Sequence, residues 1–364
     1  VPRLPRQAPR LAAALLPWLV LGAGAALSAE TVALLPVQDR AGDSGAVRAV
    51  EDALARGLAE DHALVDGESL RDALRRRRIR NLDAAPPEEL RALAGELGAG
   101  RFVTAVVHLA EREVTPRLAV SARSYDGATG ELAWAGFEAG SGLDRRGLLG
   151  LGVVETLEPL AEDLAGRLLH GLSGVGAAPG PGADPGADRA AAVALVPLSG
   201  LSETDATRAA ETVTEAVRAA LQEAGVPVLS PNRVAEALRG ARMFAWGALD
   251  APVRRALAEA GAGLLVTGSV ETWDAGGDGF EPEPVMAVAL RAVDARTGRI
   301  VWTGALDRRG WDRQGLFRLG RVHDHGTLAR RIAERLVASL AAPGGALAAS
   351  SVNTTLEPSG EASP

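Results

Sequence analysis

The apolar residues of this chain keep two rhythms, and the rhythms follow one another in the same order twice. Short runs at "VALLPV" (32–37) and "VALVPL" (193–198) read as strands interrupted by a Pro, which has no backbone N–H to donate. Ala209, Val213, Val217 and Leu221 recur every four residues and draw one apolar stripe along a helix. Leu157, Leu160, Leu164 and Leu168 do the same later in the first half, and Leu328, Ile332, Leu336 and Leu340 in the second. Ahead of those last helices, "RFVTAVVHLAE", "RLAVSARSY" and "ELAWAGFEA" are β-rich runs with short connections, as in a meander. "LLVTGSVETW", "VMAVALRAV" and "RIVWTGALD" match them in the second half.

Local signals fill in the remainder. "HALVD" and "VPVLS" read as brief strands. "SPNRVAEAL" starts a helix, with Ser230 as N-cap and Pro231 at the first helical position, and "GESLRDAL" is its counterpart. A third helix near Glu88–Leu97, or Pro252–Ala260, stops at Gly98 or Gly261, where glycine suits a left-handed C-cap. The predicted order in each half is βαβααβββα. That order implies an α/β (α+β) class, with a mixed β-sheet covered by helices in each of two tandem domains.

Self-similarity supports a duplication of about 140–150 residues, an ordinary domain size. "VALLP" returns as "VALVP", "GAGRFVT" as "GAGLLVT", "YDGATGELAWAG" as "VDARTGRIVWTG", and "GLLGLGVV" as "GLFRLGRV", always in the same order. Residues 30–172 form the expected first repeat and 191–342 the second. Residues 173–190 read as a Gly/Pro/Ala linker and 343–364 as a disordered tail. Residues 1–29 carry Arg3, Arg6 and Arg10 ahead of an apolar stretch ending in small residues, the pattern of an export signal. Read instead as uncleaved, residues 11–29 would form an inner-membrane anchor. Either way the expected location is periplasmic or otherwise exported.

"VDARTGRIVWTG" has the look of a β-propeller blade, but the motif occurs twice, with helical patterns between, and a propeller needs more blades. It reads instead as a hairpin. Asp126 or Asp294 accepts from the backbone of the turn, and Gly130 or Gly298 takes a positive φ. Alternation then places Leu132 with Trp134, and Ile300 with Trp302, on one face, the Trp toward a core.

Composition narrows the chemistry. There is no Cys, and all 39 basic residues are Arg, so thiol, Schiff-base-lysine and P-loop-lysine chemistry are closed. The net charge of −7 argues against nucleic acid as partner. "HDH" at 323–325 lacks companion ligands at defined spacing, so no metal is expected, and Asp324 suits the start of the last helix. "GLLGLG" (147–152) follows the meander, not a first strand, so no nucleotide or other cofactor is expected. The acidic hairpin "WDAGGDGFEPE" lacks the order of a calcium loop. No catalytic constellation is legible.

Two stretches are candidates for a partner surface. The basic run "RRRRIR" offers Arg75, Arg76, Arg77 and Arg78, and the equivalent place in the second half carries Met243, Phe244 and Trp246.

"GAGLLVTGSVETWD", a following strand and "VDARTGRIVWTG" together resemble a group of bacterial envelope domains. The group comprises the amino-terminal domain of the translocation protein TolB, the curli secretion channel lipoprotein and the lipoprotein activator of penicillin-binding proteins. The resemblance spans roughly residues 30–172 and 191–341, and its motifs are structural. This chain departs from the group in having no Cys to lipidate, a short polar loop at 274–284 and no propeller. The resemblance implies a non-enzymatic envelope component that works through protein contacts, with envelope proteins or further copies of itself as partners. The alternative is a periplasmic protein that binds a small ligand or polysaccharide in the cleft between its domains.

Overall fold

The computed structural model describes residues 30–112, 115–144, 152–174, 192–200, 206–241, 249–274, 283–312 and 321–347. Strand β1 (Thr31–Leu34) leads through β2 (Gln38–Asp39) into helix α1 (Ser44–Asp61), which opens where the Asp43 carboxylate accepts from the N–H groups of Gly45 and Ala46. Then come β3 (Ala63–Leu64), α2 (Gly67–Arg77), a 3₁₀ turn (Leu82–Ala84) and α3 (Pro87–Leu97). The meander β4 (Arg101–Glu111), β5 (Arg117–Asp126) and β6 (Leu132–Ser141) follows, and α4 (Leu157–Ser173) closes the unit.

The second unit runs through the same sequence of elements. These are β7 (Ala192–Leu195), β8 (Ser199–Gly200), α5 (Ala206–Glu223), α6 (Pro231–Gly240), α7 (Ala251–Glu259), β9 (Ala262–Asp274), β10 (Val285–Asp294), β11 (Ile300–Arg309) and α8 (His325–Ala341). A single bridge between Val193 and Val228 stands where β1 and β3 pair in the first unit. The fold is therefore α/β with two mixed sheets, ordered β3-β1-β4-β5-β6 and β11-β10-β9-β7. Strands β2 and β8, two residues each, pair with β4 and β9 and extend the predicted order.

Both hairpins form as read. Asp126 Oδ1 accepts from Thr129 N at 2.7 Å and Asp294 Oδ1 from Thr297 N at 2.6 Å; Gly130 and Gly298 sit at φ 71° and 75°. Gly98 ends α3 at φ 64°. Two local expectations fail. A register shift between Ala292 and Val293 skips Val301, so Trp302 pairs with Ala292 and Ile300 with Val293. Ile300 therefore leaves the face of Trp302. Trp302 packs on the core while Ile300 is 57% exposed. The same shift parts Leu132 from Trp134 in the first unit. Ser230 holds the N-cap position, but its hydroxyl makes no cap bond; it accepts from Leu132 N of the first unit, at 3.0 Å.

Layering sets up the site. One face of the first sheet, with Leu118, Val120 and Ala122, lies on α1 and α4. The other face is covered at one end by α2 and α3, around Phe102 and Tyr125. The rest of that face is covered by α5 and α8 of the second unit. One continuous core joins Leu109, Ala119, Phe137 and Ala139 of the first sheet to Val266, Met286, Val288 and Leu290 of the second. Val213, Val217 and Leu221 of α5 and Ile332 and Leu336 of α8 fill the space between. Helices α5 and α8 are thus shared by two sheets.

Candidate functional site at the seam between the units

The seam puts charge where a core would be expected. Arg123 lies mid-strand in β5, on the face turned to α5, and is buried. Its guanidinium meets Glu215 of α5 at 2.8 Å and also the Asp83 carboxylate in the 3₁₀ turn. Tyr125 donates its phenol O–H to the same Asp83. Arg218, one turn along α5, reaches Glu215 at 3.4 Å. Two arginines thus face two carboxylates, a balanced buried cluster. Burial alone would raise Asp83 and Glu215, but Arg123 and Arg218 beside them hold both carboxyls below their ordinary values. Burial would also lower Arg123, and the two carboxylates raise it well above its ordinary value.

His108, on β4, completes the polar wall. Its Nε2 lies 2.8 Å from Ser121 Oγ, and its ring sits 6.0 Å from that of Phe137. Burial pushes its pKa down to about 4, against the pull of Glu215, so the imidazole is neutral at pH 7. A cavity of about 750 Å³ opens at this wall, lined by Arg40, His108, Arg123, Pro197, Glu215 and Arg218 among others. Nη1 of Arg218 and Nδ1 of His108 are buried without a hydrogen-bond partner.

Chemically, the seam can grip and orient. Ser121 and His108 form a hydroxyl–imidazole pair, but no carboxylate holds Nδ1, and Ser121 is not among the described residues lining the cavity. Among the described residues, no group of three His, Asp or Glu is placed to hold a metal ion. The remaining seam contacts fix the units together. Asn232 donates to Gly130 O at 2.9 Å, Arg233 meets Glu131 at 2.5 Å, and Ala135 N donates to the Gln222 side chain.

The residues singled out in the sequence lie elsewhere. Arg75 pairs with Asp72, Arg76 with Glu96, and Arg77 with Glu89 and Glu96, tying α2 to α3. Arg78 is the left-handed C-cap of α2, at φ 57°. Met243, Phe244 and Trp246 lie outside the described residues, as do most of "GLLGLG" and the acidic hairpin. In "HDH", Asp324 caps α8 by accepting from Thr327 N at 2.7 Å. His325 stacks on Trp273, ring centroids 4.5 Å apart, and its Nε2 is 2.8 Å from Asp274 O. Burial, and then the Asp144 charge, push the Asp324 pKa up to about 6. The sequence reading missed Arg123, Glu215 and Arg218. The available signal was an arginine inside the apolar run "RLAVSARSY", repeated as Arg291 in "VMAVALRAV".

The chain so described is a two-unit α/β protein with a charged, cavity-bearing seam. No family model matches it, and no curated protein matches it. Among solved structures it is similar to the PelC dodecamer from Paraburkholderia phytofirmans, with 24% identity over 42% of this chain and 89% of that one, TM-score 0.28. It is similar to lipoprotein GNA1162 from Neisseria meningitidis, at 13% identity over 40% of this chain and 98% of that one, TM-score 0.29. The C-terminal domain of LpoB from Escherichia coli gives 20% identity over 33% and 88%, TM-score 0.24. None of these likenesses bears on function by itself. Among the described residues, no helix is long and apolar enough to cross a membrane.

Proposed function

We propose that this chain is a non-enzymatic, exported component of a bacterial envelope complex, working by holding proteins together. One observation carries the reading: among the described residues, no helix covers the outer face of the second sheet beyond its α6–α7 end, where the equivalent face of the first is packed by α5 and α8. Strand β5 is buried at every position but its last, whereas β10 alternates and β11 stays largely exposed. Ile300 and Val301 stand 57% and 42% exposed at its edge. Residues 1–29, with the pattern of an export signal or anchor, support the location. The run Arg75–Arg78 and the segment holding Met243, Phe244 and Trp246 are further candidate contact surfaces in this reading.

The test is site-specific photocrosslinking in intact cells of the source organism. A crosslinker at Ala305, on the open face, is expected to give adducts that fractionate with the envelope, and one at exposed Glu68 on α2 is not. If Ala305 crosslinks no more than Glu68, the reading fails.

A second reading rests on the seam cavity. Its volume suits a small molecule, and the unpartnered Nη1 of Arg218 favours an anionic oxygen ligand. A panel of small carboxylates and phosphate esters would raise the melting temperature through one chemical class, and the rise would vanish in Arg218→Met. No shift with any member removes this reading.

A further inference from the structure

We infer that the seam cavity binds an acid with one negative charge and an apolar body, the acid head on Arg218 and the body along α6, and that His108 takes up a proton as it binds. The inference rests on the seam cavity being a ligand site, and it names the ligand's class and the proton that accompanies it.

The cavity has two unlike sides. Helix α6 lines it with Pro231, Val234, Ala235 and Leu238, whose spacing puts them on one side of the helix. Leu195, Pro197 and Leu198, at the end of β7 and just beyond it, continue the apolar lining. The charged lining comes from α5 and the first unit, with Arg218 and Glu215 on one and Arg123 and His108 on the other. The volume of about 750 Å³ falls in the range of small-molecule sites and exceeds what a bare inorganic anion fills. A ligand suited to both sides has a polar head and a hydrocarbon body.

Arg218 selects the head. It is 4% exposed, its Nε reaches Glu215 at 3.4 Å, and its Nη1 is buried without a partner among the described residues. The guanidinium keeps donor capacity, and an acid oxygen is the acceptor that makes its strongest hydrogen bond.

Charge sets the number. Arg123 and Arg218 already face Asp83 and Glu215, and nearer solvent Arg40 pairs with Glu211 at 3.1 Å. These side chains balance among themselves, so an incoming anion needs a new positive charge. His108 is the group that can supply it. It is 2% exposed, its Nε2 is paired with Ser121, and its Nδ1 has no partner among the described residues. Burial keeps the ring neutral at pH 7. Glu215 of α5 favours its protonation, while Arg123 of β5 and Arg40 after β2 oppose it. Asp83 and Arg218 stand beyond them, bonded to Arg123 and Glu215. An acid head beside the ring acts in the sense of Glu215 and raises its pKa. Protonated, the ring has an N–H at each nitrogen, one for Ser121 and one for a further acceptor. One proton offsets one charge. A carboxylate or sulfonate is thereby matched, and a phosphate monoester, with about two charges at pH 7, is not.

The experiment is titration calorimetry of the full chain with octanesulfonate, whose head stays anionic from pH 5 to pH 7, and with octanoate and octyl phosphate. Wild type is expected to bind octanesulfonate about tenfold more tightly at pH 5 than at pH 7, with proton uptake seen as a dependence on the buffer's ionisation heat. Methanesulfonate, the same head without the body, is expected to bind at least about 100-fold more weakly, a comparison that needs no variant. His108→Gln is expected to bind octanesulfonate at pH 7 and to lose both the proton uptake and the pH dependence. Arg218→Met is expected to bind none of the probes. Equal affinity of wild type for octanesulfonate at pH 5 and pH 7 overturns the inference, as does a pH dependence that persists in His108→Gln. Octyl phosphate binding through Arg218 while octanoate and octanesulfonate do not also overturns it, yet leaves the seam cavity standing as an anion site. No binding by any probe removes both.

Discussion

Strands β5 and β10 hold the same place in the order of elements, in two settings. Each is the middle of a three-stranded meander, each ends in an Asp-x-x-Thr-Gly hairpin, and each carries an arginine three residues before that Asp. On β5 both faces are packed, and Arg123 is locked between Asp83 and Glu215. On β10 the face bearing Met286, Val288 and Leu290 reaches the shared core, the opposite face reaches a core at Val293 under α6 and α7, and Arg291 is half-buried. Neighbouring strands differ accordingly, with Phe137 and Ala139 on β6 against Ala305 and Asp307 on β11. An identical element order thus supports an interior in one unit and a surface in the other. What decides it is whether a second pair of helices arrives.

The sharpest way to break this comparison is the arginine pair. Arg123→Met leaves Asp83 and Glu215 as buried carboxylates without their main counter-charge and should cost about 3–5 kcal/mol in urea unfolding. Arg291→Met on the open face should cost under about 1 kcal/mol. Equal losses would mean that the second sheet is already as enclosed as the first.

Next in size is the pH dependence of His108. Its folded pKa of about 4 lies below the ordinary 6.5, so the unfolded chain binds more protons between those values. The neutral-His contribution is fully present above pH 6.5 and is lost as pH falls toward 4, to an extent of about 3 kcal/mol. Burial sets that value; Glu215 pulls it back up, and Arg123 and Arg40 push it further down. Asp324, raised to about 6 from 3.8, works in the opposite sense: its contribution is present below 3.8 and is lost as pH rises through 6. Asp324→Asn keeps the cap acceptor and should steepen the loss between pH 6.5 and 4. His108→Gln should remove that loss. Chemical denaturation at stepped pH reads both.

Smaller effects probe the two helix starts. Gly326→Leu would overpack the approach to Ala119 and Ala139 and should cost about 1–3 kcal/mol. Glu158→Leu, one residue into α4 from its first position as Gly326 is in α8, is exposed and should be within about 0.5 kcal/mol of wild type. The smallest expected difference is at the turns. Asp126→Ala and Asp294→Ala should each cost about 1 kcal/mol, because each carboxylate accepts from the Thr N–H and hydroxyl of its own turn.

Much of this was legible along the chain, because the responsible interactions are short-range. The stripes Leu157–Leu168 and Leu328–Leu340 mark helices through i, i+3 and i, i+4 spacing. Asp126 and Gly130 define a turn through contacts within five residues, and Gly98 ends a helix by its own φ. The bulge at Val301 was not legible, since a skipped residue depends on the register of the partner strand. Nor was the role of Ser230, whose hydroxyl has a cap position by sequence and a different partner by packing.

The α5 helix shows the limit most plainly. By pattern it is amphipathic, with Ala209, Val213, Val217 and Leu221 inward and Thr212, Thr214, Glu215 and Arg218 free to meet water. In the folded chain those four polar residues are also buried: Glu215 lies against Arg123 of the first sheet with Arg218 beside it, and Thr214 accepts from Leu198 N of its own unit. The sequence by itself determined the elements, their order and the turns that join them, all of which follow from neighbours a few residues apart. Only the tertiary structure decided that α5 has two inner faces and that Arg123 finds an acid 92 residues away. Burial on both sides is a property of what docks, and no local spacing encodes it.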